Sequence, residues 1–136
     1  MTILWNKEKI KGFVKNTLGC GCPDKVFQKI DISELPVVVH EQQITRIVIG
    51  NTLLIYIIPP GFSSVLVDSV ESLALAGKND RDRNSYNRFR LVVSGYDDDF
   101  LRQRISACFS ELFSDDRKMH IHFINRALVD DLCVID

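Results

Sequence analysis

Two cysteines separated by a single glycine form the densest group of reactive side chains in this sequence. Cys20 and Cys22 lie in the stretch Leu-Gly-Cys-Gly-Cys-Pro-Asp-Lys-Val-Phe, residues 18–27. In an extended segment, side chains two positions apart leave the backbone on the same side. The two sulfurs can therefore share a soft metal ion or cycle between a dithiol and a disulfide.

The residues around this pair predict the elbow of an N-terminal helical hairpin. Gly19 follows a helical pattern over residues 6–18 and is expected to end that helix in the left-handed conformation. Pro23 suits the first position of a second helix over residues 23–30, which makes Cys22 its cap. Unpaired backbone N–H groups at that position favour a thiolate over a thiol. The same pattern is also typical of a tight structural turn that holds two small residues.

Two histidines form a second candidate site. His120 and His122 alternate along a predicted strand over residues 119–124, so their rings are expected on the same side. This geometry can supply two ligands to a metal ion. A further ligand would have to come through the fold, from the cysteine pair or from His40. The alternative is that both rings face solvent or a polar layer.

Four arginines fall in residues 78–90, in and just after a polar segment (residues 78–87) that is predicted to be an exposed loop. Aromatic residues are interleaved with them, which resembles a small anion-binding or nucleic-acid-binding patch. Neighbouring aspartates offset their charge, and the formal net charge of −1 argues against nucleic acid. The segment is therefore interpreted as a loop that positions a partner. The arginines are Arg81, Arg83, Arg88 and Arg90.

The two remaining cysteines have less distinctive surroundings. Cys108 belongs to the apolar stripe of a helix that is predicted to be capped by Asp97, and a buried free cysteine behaves as a small hydrophobic residue. Cys133 lies near the end of the printed sequence, where either role is open. Neither residue is assigned to the thiol pair.

The composition is that of one ordinary globular domain over residues 1–136. Hydrophobic residues make up 46% and charged residues 26% of the chain. The longest apolar run, residues 53–58, is far too short to cross a bilayer, and the N-terminus lacks the layout of a signal peptide. Cysteines in such a chain are expected to be reduced thiols, and the cytoplasm is the expected compartment.

The pattern of elements predicts a single α/β domain. β-branched residues over 44–49 and 52–58, joined by Gly50-Asn51, are typical of an antiparallel hairpin. A helix ending near residue 76, closed by Gly77, comes next, followed by strand 88–94, a helix, strand 119–124 and a last short helix. Such βαβ units favour parallel neighbours, so a mixed sheet with helices packed on it is expected. Residues 36–39 are expected to add a short edge strand.

With that edge strand included, the α-β-β-β-α-β order resembles the restriction-endonuclease-like fold. The resemblance implies an acidic residue and a Glu-x-Lys motif on the central hairpin. The matching strand here, residues 53–58, reads Leu-Leu-Ile-Tyr-Ile-Ile and has no carboxylate. We therefore do not expect an active nuclease of that type.

Residues 17–27 are similar to the signature of a small prokaryotic family of uncharacterised proteins. In that family a Leu-Gly-Cys-Gly-Cys-Pro stretch precedes Val-Phe, as it does here. The resemblance covers little more than this stretch. It implies no particular activity and marks Cys20 and Cys22.

The leading functional hypothesis is a cytoplasmic thiol site, with Cys22 as the attacking or ligating sulfur and Cys20 as its partner. Its role is expected to be redox exchange, or the handling of a soft metal such as zinc or of an iron–sulfur cluster. Two ligands do not close a metal site in a monomer, which implies another protein or a homo-oligomer. The alternative is a non-catalytic protein-binding or assembly module that uses the arginine-rich segment 78–90.

Overall fold

A computed structural model of the chain describes residues 3–19, 21, 23–39, 42–58, 66–95, 98–114 and 116–135. Helices and strands alternate through the second half of this part of the chain, so the fold class is α/β, as predicted. None of the helices described is long and apolar enough to cross a membrane. The elements are β1 (Ile3–Trp5), α1 (Lys7–Gly12), a π-helical turn (Phe13–Thr17), a 3₁₀ turn (Asp24–Gln28), β2 (Ile30–Val39), β3 (Gln42–Ile49), β4 (Leu53–Ile58), α2 (Leu66–Asn84), β5 (Arg88–Ser94), α3 (Asp99–Leu112), β6 (Met119–Ile124), α4 (Arg126–Asp130) and β7 (Cys133–Ile135).

The main sheet has five strands in the order β2-β3-β4-β5-β6. The first three strands form an antiparallel meander, and β4, β5 and β6 are parallel, with α2 and α3 as the crossover helices. The predicted mixed sheet and the α-β-β-β-α-β order are therefore both present. A separate pair, β1 with β7, was not predicted, because three-residue strands are too short to show a periodic pattern.

Both faces of the sheet are covered. The α2–α3 face packs against those two helices, while the α1 face packs against α1, the π-helical turn and the 3₁₀ turn. Every residue of β4 is buried, as a strand covered on both sides requires. Alternate residues of this strand enter opposite cores: Leu54, Tyr56 and Ile58 on the α2–α3 face, and Leu53, Ile55 and Ile57 on the α1 face.

The turn between β3 and β4 has the predicted conformation and also contacts the 3₁₀ turn. Gly50 and Asn51 both have φ of 56°, the sign that a two-residue turn of this type requires. A Cβ atom at Gly50 would lie 2.6 Å from the carbonyl oxygen of Val26. The amide of Gly50 donates a 2.7 Å hydrogen bond to the carbonyl oxygen of Lys29. The hairpin therefore holds the segment that follows the cysteines against the sheet.

The prediction that α2 ends at Gly77 and gives way to a loop is wrong. The helix continues to Asn84, and Ser85 follows it with φ of 60°. Gly77 lies inside the helix because a Cβ atom there would be 2.3 Å from the ring of Phe89. This glycine allows a close helix–sheet contact, and the polar residues after it form the last turns of the helix.

The N-terminal helix matches its prediction at both ends. The side chain of Asn6 accepts a 3.1 Å hydrogen bond from the amide of Lys9 and caps α1. Gly19 has φ of 70°, the left-handed conformation expected after Leu18. The last turn before it is π-helical, with the amide of Leu18 bonded to the carbonyl oxygen of Phe13.

Three predicted boundaries are corrected. The second helix is only a 3₁₀ turn of five residues, and Pro23 is its extended N-cap with ψ of 151°, so Cys22 precedes the cap. β2 runs over ten residues and not only over 36–39. Its antiparallel pairing with β3 shifts register between Glu34 and Val38. The cap of α3 is Asp98, whose side chain accepts from the amide of Leu101.

Candidate functional site

The two cysteines of the predicted thiol site, Cys20 and Cys22, lie outside the described residues, as does His40. Their neighbours Gly19, Gly21 and Pro23 are described and are exposed. The candidate site described below therefore consists of the side chains around the two cysteines and of the backbone on either side of them.

Arg90 on β5 is hydrogen-bonded to Leu18, two residues before Cys20. Residues 19–23, which include both cysteines, are called the cysteine segment below. Arg90 lies on the α1 face of β5 with 6% of its surface exposed. Its Nη1 donates a 2.9 Å hydrogen bond to the carbonyl oxygen of Leu18. The same nitrogen lies 2.7 Å from Nε2 of His122. Because a guanidinium only donates, Nε2 accepts, and the ring hydrogen of His122 is assigned to Nδ1.

This buried guanidinium has no carboxylate partner in the described part of the chain. Its hydrogen bonds there go to Leu18 and His122, and its buried Nε has no hydrogen-bond partner. Burial lowers the pKa of Arg90, and the positive charge of Arg88 lowers it further. A buried charge is costly unless it is paired. The site therefore has an excess of positive charge that an anion would offset.

The two predicted histidines lie beside this arginine. His120 is the register partner of Arg90 across the parallel β5–β6 pair, and His122 is the next residue of β6 on the same face. Burial, followed by the charges of Arg90 and His120, lowers the pKa of His122 to about 4. Burial and the nearby arginines also lower the pKa of His120. The imidazole of His122 is therefore neutral at pH 7.

The described side chains do not form a metal site by themselves. No group of three or more histidine, cysteine, aspartate or glutamate residues lies close enough among them to hold an ion. His122 also has its Nε2 occupied by the hydrogen bond from Arg90. A metal site that uses His120 or His122 would need further ligands and a rearrangement of this contact.

A cavity of about 270 Å³ lies beside the cysteine segment, at the amino ends of β4 and β5. Within its lining, the carbonyl oxygen of Thr52 accepts hydrogen bonds from the amides of Asn87 (2.8 Å) and Arg88 (3.1 Å). Pro23, Val26 and Leu53 contribute apolar groups to the lining, and the exposed Asn87 and Arg88 contribute polar groups. The lining residues are Gly21, Pro23, Val26, Thr52, Leu53, Asn87 and Arg88.

The four arginines of residues 78–90 do not form the single exposed loop surface that was predicted. Arg81 is 8% exposed, and its guanidinium pairs with Asp116 (2.8 Å) and Asp82 (3.1 Å). Arg90 is buried on the α1 face. Arg83 and Arg88 are the exposed members of the set. The prediction fails because part of the segment is helical and one arginine belongs to a covered strand face.

A second polar cluster, which was not predicted from the sequence, lies partly buried on the α2–α3 face. Arg46 binds both carboxylate oxygens of Asp80 at 2.8 and 2.9 Å, and the hydroxyl of Tyr56 donates to the same carboxylate at 2.6 Å. Asn84 adds a further bond to Asp80. Burial raises the pKa of Asp80, but the bonds from Arg46 and Tyr56 outweigh it and hold the pKa below its usual value. The sequence signal was limited to Arg46 and Tyr56, which interrupt runs of apolar residues in two strands.

The fold and these contacts together define a three-layer α/β domain with a buried cationic centre on the face that carries the cysteine segment. Comparisons with protein-family models, with curated proteins and with solved structures find no match to this chain. The function is therefore inferred from the site itself.

Proposed function

We propose that this protein carries out thiol–disulfide exchange in the cytoplasm, with Cys22 as the attacking sulfur and Cys20 as the resolving sulfur. The observation that supports this proposal is the position of Arg90. This arginine is buried, lacks an acidic partner among the described residues, and donates a hydrogen bond to Leu18, two residues before Cys20. A thiolate of the Cys20/Cys22 pair is an anion that would offset the positive charge of Arg90.

Chain geometry limits how far the first sulfur can be from the arginine. Consecutive Cα atoms are about 3.8 Å apart, so the Cα atoms of Cys20 and Leu18 are at most about 7.6 Å apart. The carbonyl oxygen of Leu18 is itself 2.9 Å from Arg90. A nearby cation in a partly desolvated site favours the thiolate and lowers the pKa of a cysteine. In the proposed site, Arg90 favours the thiolate form within the cysteine pair in place of the predicted helix N-terminus.

The proposed exchange consists of two consecutive thiolate attacks. The Cys22 thiolate attacks one sulfur of a substrate disulfide, the S–S bond breaks, and one substrate thiolate leaves. Cys20 then attacks the sulfur of Cys22 in this mixed disulfide, which releases the second substrate thiolate and forms the Cys20–Cys22 disulfide. The two electrons come from the cysteine pair, and the protons that it loses pass to the departing thiolates. A reduced dithiol protein returns the pair to its starting state.

Handling of zinc or of an iron–sulfur cluster by the same cysteines is the second candidate. The neutral imidazole of His122 supports it, because neutral imidazole is the form that binds metals. Two features favour exchange instead. Arg90 repels a cation, and its hydrogen bond occupies Nε2 of His122.

The test uses the reduced protein with Cys108 and Cys133 replaced by serine, so that Cys20 and Cys22 are the only thiols. Oxidised 2-mercaptoethanol is added, and released thiol is measured with the mass of the protein. We expect two thiols released per chain and a mass loss of two hydrogens. The matched control keeps Cys108 and Cys133 and carries Cys20→Ser and Cys22→Ser. Equal thiol release from both proteins, or tight zinc binding with no exchange, would overturn the proposal.

A further inference from the structure

We infer that the cavity lined by Arg88 binds a small phosphate monoester, with the phosphate group at the guanidinium of this arginine. The inference goes beyond the proposed exchange function and uses no cysteine. It depends on three observations: two arginines share one face of the sheet without acidic partners, one of them lines a cavity, and the cavity lining is partly polar and partly apolar.

The two arginines lie on the same face of β5. Arg88 and Arg90 are two positions apart, and their register partners on β4 are Leu53 and Ile55, which belong to the core of the α1 face. Neither guanidinium has a carboxylate partner within the part of the chain that the structure describes. Burial, followed by the positive charge of Arg88, lowers the pKa of Arg90. The two like charges therefore repel each other, and an anion beside them would be stabilised.

The neighbouring strand β6 places His120 beside this pair, as the register partner of Arg90. Burial, followed by the charges of Arg90 and Arg88, lowers the pKa of its imidazole. The carboxylate of Asp116 has the opposite effect, but it is paired with Arg81 at 2.8 Å. The arginines outweigh it, so His120 reports a positive potential on this face.

The charge of the two arginines matches that of a phosphate monoester. Such a group carries about −1.5 to −2 charges at pH 7 and has three acceptor oxygens. A carboxylate or a phosphodiester carries a single negative charge and would offset only one of the two arginines. The planar guanidinium of the exposed Arg88 can bind two phosphate oxygens at once. The buried Arg90 contributes through its charge.

The cavity leaves room for a small organic group next to the phosphate. It measures about 270 Å³, slightly below the range of roughly 300–1,000 Å³ that is typical of pockets for drug-sized ligands. Asn87 lies beside Arg88 in the lining and offers a side-chain amide to a phosphate oxygen. Pro23, Val26 and Leu53 provide apolar groups for a short carbon body. No aspartate or glutamate is among the described residues that line the cavity.

The test is isothermal titration calorimetry of the reduced protein with three probes that share a phenyl ring. They are phenyl phosphate, which is mostly dianionic at about pH 7.5, and two monoanions, methyl phenyl phosphate and benzoate. We expect phenyl phosphate to bind with a Kd below about 1 mM, and the monoanions to bind at least about fivefold more weakly. Added salt should weaken the binding. In an NMR titration, saturating phenyl phosphate should raise the pKa of the His120 ring, because the anion offsets the nearby arginines.

Substitutions locate the phosphate. Arg88→Gln should weaken the binding of phenyl phosphate about tenfold and remove the effect on His120, while Arg88→Lys should retain part of the affinity. Arg83→Gln is the matched control, because Arg83 is an exposed arginine that does not line the cavity. It should leave the affinity unchanged. The double variant Cys20→Ser, Cys22→Ser should retain the affinity, and circular dichroism checks that each variant is folded.

The possible failures can be told apart. Equal affinity for the three phenyl probes, or an affinity for phenyl phosphate that survives Arg88→Gln, would overturn the inference. Inorganic phosphate that binds as tightly as phenyl phosphate would show that the cavity does not recognise an ester. A thymidine oligonucleotide that binds more tightly than phenyl phosphate, and is lost in Arg88→Gln, would assign this face to nucleic acid instead. Each of these results leaves the exchange function standing, since that function fails only if the cysteine pair is not oxidised by the disulfide of 2-mercaptoethanol.

Discussion

Arg90 on β5 and Leu18 at the end of the π-helical turn are joined by a 2.9 Å hydrogen bond, from Nη1 of the arginine to the carbonyl oxygen. This bond links the covered face of the sheet to the start of the cysteine segment. The buried Nε of Arg90 has no described partner, and no described carboxylate balances the charge. The proposed thiol chemistry depends on that excess positive charge.

His122 should make the protein less stable in mild acid. Its pKa is about 4 in the folded protein and near 6.5 when exposed, so the unfolded chain takes up the proton first. The free energy of unfolding should therefore fall as the pH drops from 6.5 toward 4. Between pH 7 and 5 the unsubstituted protein should lose about 1 kcal/mol more of its free energy of unfolding than the His122→Gln protein does. This figure allows for the partial exposure of the ring.

Urea unfolding at several pH values measures this difference, and an NMR titration of the His122 ring measures its pKa directly. Glutamine is the chosen replacement because its side-chain oxygen can still accept the hydrogen bond from Arg90. A ring that titrates near 6.5, or parallel stability curves for the two proteins, would show that the imidazole is not held neutral.

Tyr56→Phe should destabilise the protein by about 1.5–3 kcal/mol. The change removes a buried 2.6 Å hydrogen bond to the Asp80 carboxylate and keeps the ring that packs edge-on against Phe89. Tyr86→Phe is the matched control, because its hydroxyl lies at the longer distance of 3.4 Å from Arg46. The control should change stability by no more than about 0.5 kcal/mol. Equal effects in chemical denaturation would contradict this description of the cluster.

Two glycine substitutions should have opposite effects. Gly77→Ala places a methyl group against the ring of Phe89 and should cost about 1–3 kcal/mol. Gly12→Ala places the same group in open space at a helical φ of −61° and should stabilise by about 0.5–1 kcal/mol. Thermal melts of the two variants provide the comparison. A Gly77→Ala protein as stable as the parent would mean that α2 does not approach β5 this closely.

The sequence allowed prediction of the parts of the fold that depend on local chemistry. The Gly50-Asn51 turn, the Asn6 cap and the left-handed Gly19 each follow from the backbone preferences of the residues concerned. Gly77 was misinterpreted because its role depends on Phe89, a residue on another element. A glycine that ends a helix and one that permits close packing look alike in a sequence.

The candidate site likewise depends on contacts between elements that are distant in the sequence. Alternation along residues 88–94 is consistent with Arg88 and Arg90 on the face opposite Phe89, but the sequence analysis assigned both arginines to an exposed segment. Only the fold shows that α1 and the π-helical turn cover this face and bury Arg90. The thiol chemistry of Cys20 and Cys22 stays a prediction, because both residues lie outside the described part of the chain.

The most direct measurement is the rate of iodoacetamide alkylation against pH, in protein with Cys108→Ser and Cys133→Ser. It is made with Arg90 intact, with Arg90→Lys and with Arg90→Met. We predict a cysteine of the Cys20/Cys22 pair with a pKa clearly below the ordinary value of about 8.5. That pKa should stay low with lysine and rise by about one unit with methionine. Profiles centred near 8.5 that do not change with residue 90 would contradict the proposed role of Arg90.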